Sequence, residues 1–278
     1  MPQLRPIDVI VPVYRSLPAT QRAIGSLLAS RGAVPFEAVV VDDASPEPAI
    51  SAWLRELSAC SAITLLVNAR NRGFVHSVNA ALALHPERDV VLLNSDTEVA
   101  PGWLDRIVAC AAADARRGTV TPFSNNATIC SYPVFAARNA LPEGVTTAML
   151  DGLFASENAG VALEIPTAVG FCMYIARRCL DAVGAFDEQA FGLGYGEEVD
   201  FCMRASRAGW HHAHCADVFV FHEGEVSFGD SGMDRRAAAQ RLIDERYPEF
   251  QPLVRDFIAR DPAKPLRERV TARLRARA

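Results

Sequence analysis

The sequence predicts an α/β fold: a mostly parallel sheet flanked by helices, with a helical extension at the C-terminus. Two observations carry most of this. Short apolar runs alternate with amphipathic stretches through the first half of the chain, the pattern of a parallel sheet covered on both faces. Polar residues recur just past the ends of those runs, where ligands sit in such sheets.

The elements follow in order. Ile7 to Val13 is the first buried strand, and about Leu17 to Ser30 the first helix, with Ala23, Ile24, Leu27 and Leu28 on its apolar stripe. Glu37 to Val41 is the second strand and Ala49 to Ala59 the next helix. Ile63 to Val67 is the third strand, followed by a helix from about Phe74 to Leu84. Val90 to Leu93 is the fourth strand and Trp103 to Ala115 another amphipathic helix. Past Thr119 to Pro122 the alternation weakens, and residues 123 to 165 carry no clear period. Ala168 to Ile175 reads as a strand, Arg178 to Val183 as a short helix, and Phe191 to Gly196 as a glycine-punctuated loop. Glu197 to Ala208 reads as a helix closed by Gly209, His211 to Phe221 as a strand, and the chain from about Gly232 as helical.

Composition narrows the function. The chain has 278 residues, half of them hydrophobic, enough for one substantial core. A formal net charge of −5 argues against wholesale nucleic-acid binding. The seven cysteines contain no C-x-x-C pair, so reduced core thiols are expected rather than a zinc site or disulfide framework. There is no N-terminal apolar leader and no apolar run of ~18 residues. The expectation is a cytoplasmic protein, with peripheral contact at the inner face of the membrane left open. Arginines between Arg267 and Arg277 could meet anionic lipid, although a solvated face is the simpler reading.

Three acidic clusters stand at strand or helix ends. Asp96-Thr97-Glu98 follows the buried fourth strand, where two carboxylates can converge on one hard cation that also binds phosphate oxygens. Asp42 and Asp43 follow the second strand; Asp42 suits a base imide or ribose hydroxyl, or equally a turn with Ser45 and Pro46. Asn71-Arg72-Gly73 precedes a helix, and Arg72 suits a phosphate, a base or plain solvent. Asn79 suits a neighbouring loop. Glu197, Glu198 and Asp200 open a helix after the glycine loop, a place for a general base or for ordinary first-turn acids. His222 ends a strand and could complete a cation's coordination, whereas His211, His212 and His214 are expected to be structural. His214-Cys215 and Gly229-Asp230-Ser231-Gly232 imitate serine-protease fragments in the wrong setting.

Taken in order, these stretches resemble family 2 glycosyltransferases. The matching residues are Val9 to Tyr14, Val39 to Ser45, Asn71 to Phe74 with Asn79, and Leu92 to Glu98. Gly196 to Phe201 with Arg204, and His222 to Phe228, complete the set. The resemblance implies a GT-A fold over residues 5–230, with a donor half (5–122) and an acceptor and catalytic half (123–230), then a helical extension (231–278). It implies an inverting, metal-dependent transferase that moves a sugar from a UDP- or dTDP-sugar to a glycan or lipid-linked hydroxyl. Donor contacts fall on Pro12, Tyr14, Asp42, Asp43, Asn71, Arg72, Gly73, Asn94 and Asp96. Asp96, Glu98 and His222 would hold Mg²⁺ or Mn²⁺, and Glu198 would be the base, with Glu197 and Asp200 as alternates. Glu98 and Glu198 each stand where the family usually has Asp, which keeps the carboxylate and lengthens its reach. The wording is most similar to bacterial surface-polysaccharide enzymes, including rhamnosyltransferase-like members. The rival readings are a metal-dependent nucleotidyltransferase and a catalytically inactive sugar-nucleotide-binding module.

Overall fold

Residues 6–192, 194–224 and 232–277 are described by the computed structural model, with 232–234 as backbone alone. Leu193 of the glycine loop and Glu225 to Ser231 lie outside the described residues. So, therefore, do the end of the His222–Phe228 stretch and most of the protease-like fragment.

The first half builds as its patterning predicts. β1 (Ile7–Val13), β2 (Phe36–Asp42) and β3 (Thr64–Val67) alternate with α1 (Leu17–Ala29) and α2 (Pro48–Ala59). Then come α3 (Phe74–Leu82), β4 (Val90–Leu93), the two-residue β5 (Thr97–Glu98), α4 (Trp103–Ala112) and β6 (Arg117–Phe123). β1 pairs in parallel with β2 on one side and β4 on the other. The chain winds outward from β1 through β2 to β3 and returns to add β4 on the opposite flank. That reversal makes a topological switch point at the carboxyl ends of β1 and β4, the place where open α/β sheets bind ligands. Val9, Ile10, Val11, Val39, Val40, Val41 and all of β4 are buried, as strands covered on both faces must be.

Loops at these strand ends are held by carboxylates, buried Asp43 and half-buried Glu47. Asp43 accepts the main-chain N–H groups of Arg72 (2.8 Å) and Gly73 (2.8 Å), the entrance to α3. Gly73 sits at φ 88°, a backbone region open chiefly to glycine. Glu47 accepts N–H bonds from Ser16 (2.7 Å) and Leu17 (3.3 Å). It supplies the cap that Ser16, itself left-handed at φ 60°, does not give to α1. At the other end of the sheet the buried Asp8 is matched by Arg88 (2.8 Å) and His85 (2.9 Å), and Arg88 also reaches Glu37 (2.7 Å). Asp8, Glu37 and His85 are the one three-ligand cluster of metal-binding type among the described residues. The Arg88 guanidinium already supplies its positive charge.

The second half departs from simple alternation. The stretch without a clear period holds a 3₁₀ turn (Thr128–Cys130), α5 (Thr147–Glu157) and β7 (Ala162–Glu164). The expected strand from Ala168 shortens to β8 (Cys172–Ile175), which runs antiparallel to both β4 and β6. Before it, Val169 donates to Thr121 Oγ1 (3.1 Å) and Phe171 O accepts from Asn94 N (2.9 Å), so the backbone crosses between strands instead of pairing along one. α6 (Arg177–Val183), α7 (Glu188–Phe191), α8 (Glu197–Arg207) and β9 (His211–Phe219) follow. The expected strand to Phe221 breaks at Val220, whose N–H bonds Phe123 O (2.9 Å). Phe221 and His222 leave as β10 to pair antiparallel with β5. The eight-stranded order is β3-β2-β1-β4-β8-β6-β9-β7, parallel except at β8 and β7.

α9 (Gly232–Arg246), α10 (Phe250–Arg260) and α11 (Lys264–Arg275) share the core with the sheet. Ile243, Tyr247, Phe250 and Phe257 join the main apolar cluster. Ala263, Leu266 and Val270 pack with Phe123, Phe154 and Phe219 in a second one. Asp200, fully buried in α8, fastens α9 to the sheet domain. It accepts from Arg204 Nε (2.8 Å), Arg246 Nη1 (2.9 Å) and Tyr247 Oη (2.7 Å). Removing one partner of a buried ion pair leaves the others uncompensated. Asp200→Ala is therefore expected to lower unfolding free energy by about 3–5 kcal/mol in a urea titration followed by circular dichroism.

Candidate active site

The candidate site forms where β4 ends and the β5–β10 ribbon begins. Asn94, Asp96 and Glu98 leave β4 in succession, and the ribbon sets His222 opposite Thr97 and Phe221 opposite Glu98. Residues far apart in the chain are thereby joined: Gly224 N–H bonds Asp96 Oδ2 (2.9 Å), and Glu223 N–H bonds Asp96 O (3.0 Å). Gly224 has φ 78°, a region that favours glycine, and a Cβ there would lie 2.0 Å from Asn126 Nδ2, so a larger residue would have to displace the Asn126 amide.

The His222 ring is fixed in one tautomer. Its Nδ1 lies 2.8 Å from Asn126 O, and a carbonyl only accepts, so Nδ1 carries the proton. Phe171 stacks on the ring at 5.3 Å between centroids and 22° between planes. In the neutral ring Nε2 is then a lone-pair donor. It faces Asp96 Oδ1 at 3.4 Å and Asn94 Nδ2 at 3.4 Å. A carboxylate oxygen and an imidazole lone pair aimed at each other are complementary to a cation or an extra proton between them. Neighbouring ligand atoms on an octahedral ion with bonds of ~2.1 Å lie about 3 Å apart, so this spacing suits a small divalent ion. Burial pushes the Asp96 carboxyl up, but the hydrogen bond and charge that His222 supplies when its ring is protonated, together with the Gly224 N–H, outweigh it and hold the group below the ordinary carboxylate range.

Not every predicted residue joins this pair. Asp96, Glu98 and His222 do not bring three ligand atoms within 4.8 Å of one another. Asp42 is buried, with Oδ1 taking the Ser45 N–H (2.9 Å) and Oδ2 the Ser51 hydroxyl, so it organises its turn. Asp43 spans Asn68, Arg72 and Gly73, while Asn71 Oδ1 accepts from Gly73 N (3.1 Å). The Arg72 side chain turns to His76 (3.2 Å) and Glu188 (3.5 Å). Pro12 and Tyr14 are half-buried at the end of β1, with Arg15 over the Tyr14 ring at 5.1 Å. Asn79 bonds both main-chain groups of Phe186 (2.9 and 3.2 Å), the loop role expected of it. His212 is buried between the Thr119 and Ser206 hydroxyls and Cys202 O, His214 Nδ1 meets Thr121 O while its buried Nε2 has no partner, and burial holds both rings down at about 4.

Glu197 and Glu198 open α8 beside the turn that carries Gly170, and each has a buried Oε2 without a hydrogen-bond partner. Burial raises both carboxyls, and the negative charge of Glu198 raises Glu197 further. Asp200, named as an alternate base, has no such freedom: both its oxygens are engaged by Arg204, Arg246 and Tyr247.

Asn125, Asn126 and Phe171 went unnoticed in the sequence. The signal for the asparagines was present: Ser124-Asn125-Asn126 follows a strand end, like the acidic clusters. It was hidden because β6 carries Arg117, Gly118, Thr119, Thr121 and Pro122, and lacks an unbroken apolar run.

Among the described residues no helix is long and apolar enough to cross a membrane. The chain is 25% identical over 269 residues to the protein y4gI of Sinorhizobium fredii, covering 92% of this chain and 28% of that one. It is 26% identical over 242 residues to the N-acetylglucosaminyl-diphospho-decaprenol L-rhamnosyltransferase of Mycobacterium tuberculosis, covering 79% of this chain and 73% of that one. In fold it is similar to GalNAc-T7 with UDP, GalNAc and Mn²⁺, at a TM-score of 0.64 and 16% identity, over 98% of this chain and 55% of that one. The chain thus spans about a quarter of the Sinorhizobium protein and about half of GalNAc-T7. The model of the glycosyltransferase-like family 2 matches residues 2–240, and with the α/β sheet this makes the chain a GT-A glycosyltransferase of that family.

Proposed function

We propose that this glycosyltransferase moves a sugar with inversion from a UDP- or dTDP-sugar to a hydroxyl of a glycan or lipid-linked acceptor. The observation that carries this reading is the facing of Asp96 Oδ1 and His222 Nε2 across 3.4 Å at the sheet's switch point. A lipid-linked acceptor is suggested by the Mycobacterium tuberculosis relative, whose name specifies a diphospho-decaprenol. Nucleotidyl transfer is set aside, since the chain belongs to a glycosyltransferase family.

Asp96 and His222 would hold Mg²⁺ or Mn²⁺, the metal in the GalNAc-T7 structure being Mn²⁺. When bound, such an ion neutralises charge that develops on a departing diphosphate. Glu98, outside the close pair, would act through an intervening water, as Mg²⁺ sites with few direct carboxylates do. Pro12, Tyr14, Asp42 and Asp43 would border the nucleoside, Asp42 and Asp43 chiefly by holding loops. Asn71, Arg72 and Gly73 would border the donor from the entrance to α3, with Asn94 beside the diphosphate.

Glu198 is the base in this reading. Its carboxylate takes the proton from the acceptor hydroxyl as that oxygen forms a bond to the anomeric carbon. The bond from that carbon to the diphosphate breaks on the opposite face, and the diphosphate leaves with the electron pair. A carboxyl raised by burial is better matched to proton uptake near neutral pH than an exposed one. Glu197 beside it is raised by burial first and by the Glu198 charge second.

Asp96→Ala is expected to abolish Mn²⁺-dependent donor binding in calorimetry, while Glu98→Ala weakens it by roughly tenfold. Glu198→Gln is expected to lower turnover by at least about 100-fold with donor affinity retained. Turnover preserved in that variant rejects Glu198 as base.

Glu197 also predicts a pH dependence of stability. A carboxyl whose pKa is higher folded than unfolded holds its proton more tightly in the native state. Stability is then fullest below the unfolded value and declines as pH rises through the interval up to the folded value. Glu197→Gln removes that decline. Its melting temperature is expected to exceed that of the wild type at about pH 8 and to meet it near about pH 4, as read by scanning calorimetry.

A further inference from the structure

We propose that Asn125 is the positioning residue that sets His222 against Asp96. This rests on the reading of His222 as a metal-binding residue and extends it to a side chain that touches neither ion nor substrate.

The argument begins with the β5–β10 ribbon. In an antiparallel pair, main-chain groups of successive residues point to alternate sides. Glu223 N–H points into the ribbon, to Asp96 O (3.0 Å). The N–H and C=O of His222 therefore point out of it, away from β5. Asn125, at the end of β6 and 3% exposed, meets both. Its Oδ1 accepts the His222 N–H (2.8 Å) and its Nδ2 donates to His222 O (3.0 Å). The primary amide thus does the work of a neighbouring strand for a single residue. The next residue, Asn126, accepts the Nδ1–H of the same histidine (2.8 Å).

One dipeptide holds three of the four polar groups of His222, and the fourth, Nε2, faces Asp96 Oδ1 and Asn94 Nδ2. Asn125 is itself braced: Nδ2 also donates to Asn139 O (3.0 Å), and Asn125 O accepts from Asn139 N (2.9 Å) and Nδ2 (3.1 Å). The bracing matters because β10 is two residues long and cannot hold its register alone. Without the amide, two main-chain groups lose their partners and the backbone turns to find others. The imidazole turns with it. Outer hydrogen bonds that orient a ligand histidine commonly carry 10–100-fold in metal affinity.

The test uses the full chain and Mn²⁺ alone, with free Mn²⁺ counted by its electron paramagnetic resonance signal. Asn125→Ala is expected to weaken Mn²⁺ binding at least about tenfold. His222→Ala should weaken it at least as much, and the double variant should match His222→Ala, because Asn125 acts only through that ring. Asn158→Ala removes another buried amide, one bonded to Ala216 O (3.1 Å), and should lower the melting temperature without changing Mn²⁺ affinity. If His222→Ala weakens binding and Asn125→Ala does not, the proposal is overturned while the metal reading stands. Additive losses in the double variant overturn it as well. If His222→Ala leaves binding unchanged, or the wild type binds no Mn²⁺, the metal reading falls and the proposal with it. Should Asn125→Ala fail to fold, Asn125→Asp serves, since it keeps the acceptor for His222 N–H but offers no donor to the carbonyls.

Discussion

The approach of Asp96 to His222 is the constraint on which the rest of the site depends. Each comes from a different half of the chain, and neither is positioned by its own neighbours in sequence. The two-residue ribbon of Thr97–Glu98 with Phe221–His222 brings them together, and Gly224 and Glu223 then bond back to Asp96. Asp96 Oδ1 and Asn94 Nδ2 both face His222 Nε2 at 3.4 Å, beside the end of β4, whose four residues are all buried.

Around that pair the acidic residues divide by how they are satisfied. Asp42, Asp43 and Asp200 have hydrogen-bond or ionic partners on both oxygens, and each holds a loop or helix in place. Glu197 and Glu198 keep an unpaired buried oxygen apiece. An unsatisfied buried carboxyl is costly to stability, and active sites are where such costs are commonly tolerated. The same criterion distinguishes the Asp8, Glu37 and His85 cluster at the far end of the sheet, where Arg88 supplies the compensating charge.

The first half of the fold was legible because each of its signals is local. Val39-Val40-Val41 and Val90-Val91-Leu92-Leu93 are strands buried on both faces, and continuous apolar runs announce them. The second half was less legible for equally physical reasons. β6 mixes polar and apolar residues because Thr119 and Thr121 serve His212 and Val169. The Ala168–Phe171 stretch is apolar yet unpaired, because it crosses over rather than along the sheet. The strand expected to Phe221 is two strands, since Val220 bonds Phe123 and the next two residues pair elsewhere. Hydropathy reports burial, and all three stretches are largely buried; it does not report which partner is bonded.

From the sequence alone, the α/β class, the elements of the first half and the family resemblance were determined, since apolar period and short ordered motifs are properties of consecutive residues. Tertiary structure decided which carboxylates are occupied, that β8 runs antiparallel, and that Asn125 and Asn126 grip His222 from 97 and 96 residues away. These depend on distances across the fold, set by strand order and by hydrogen bonds between segments that no local pattern encodes.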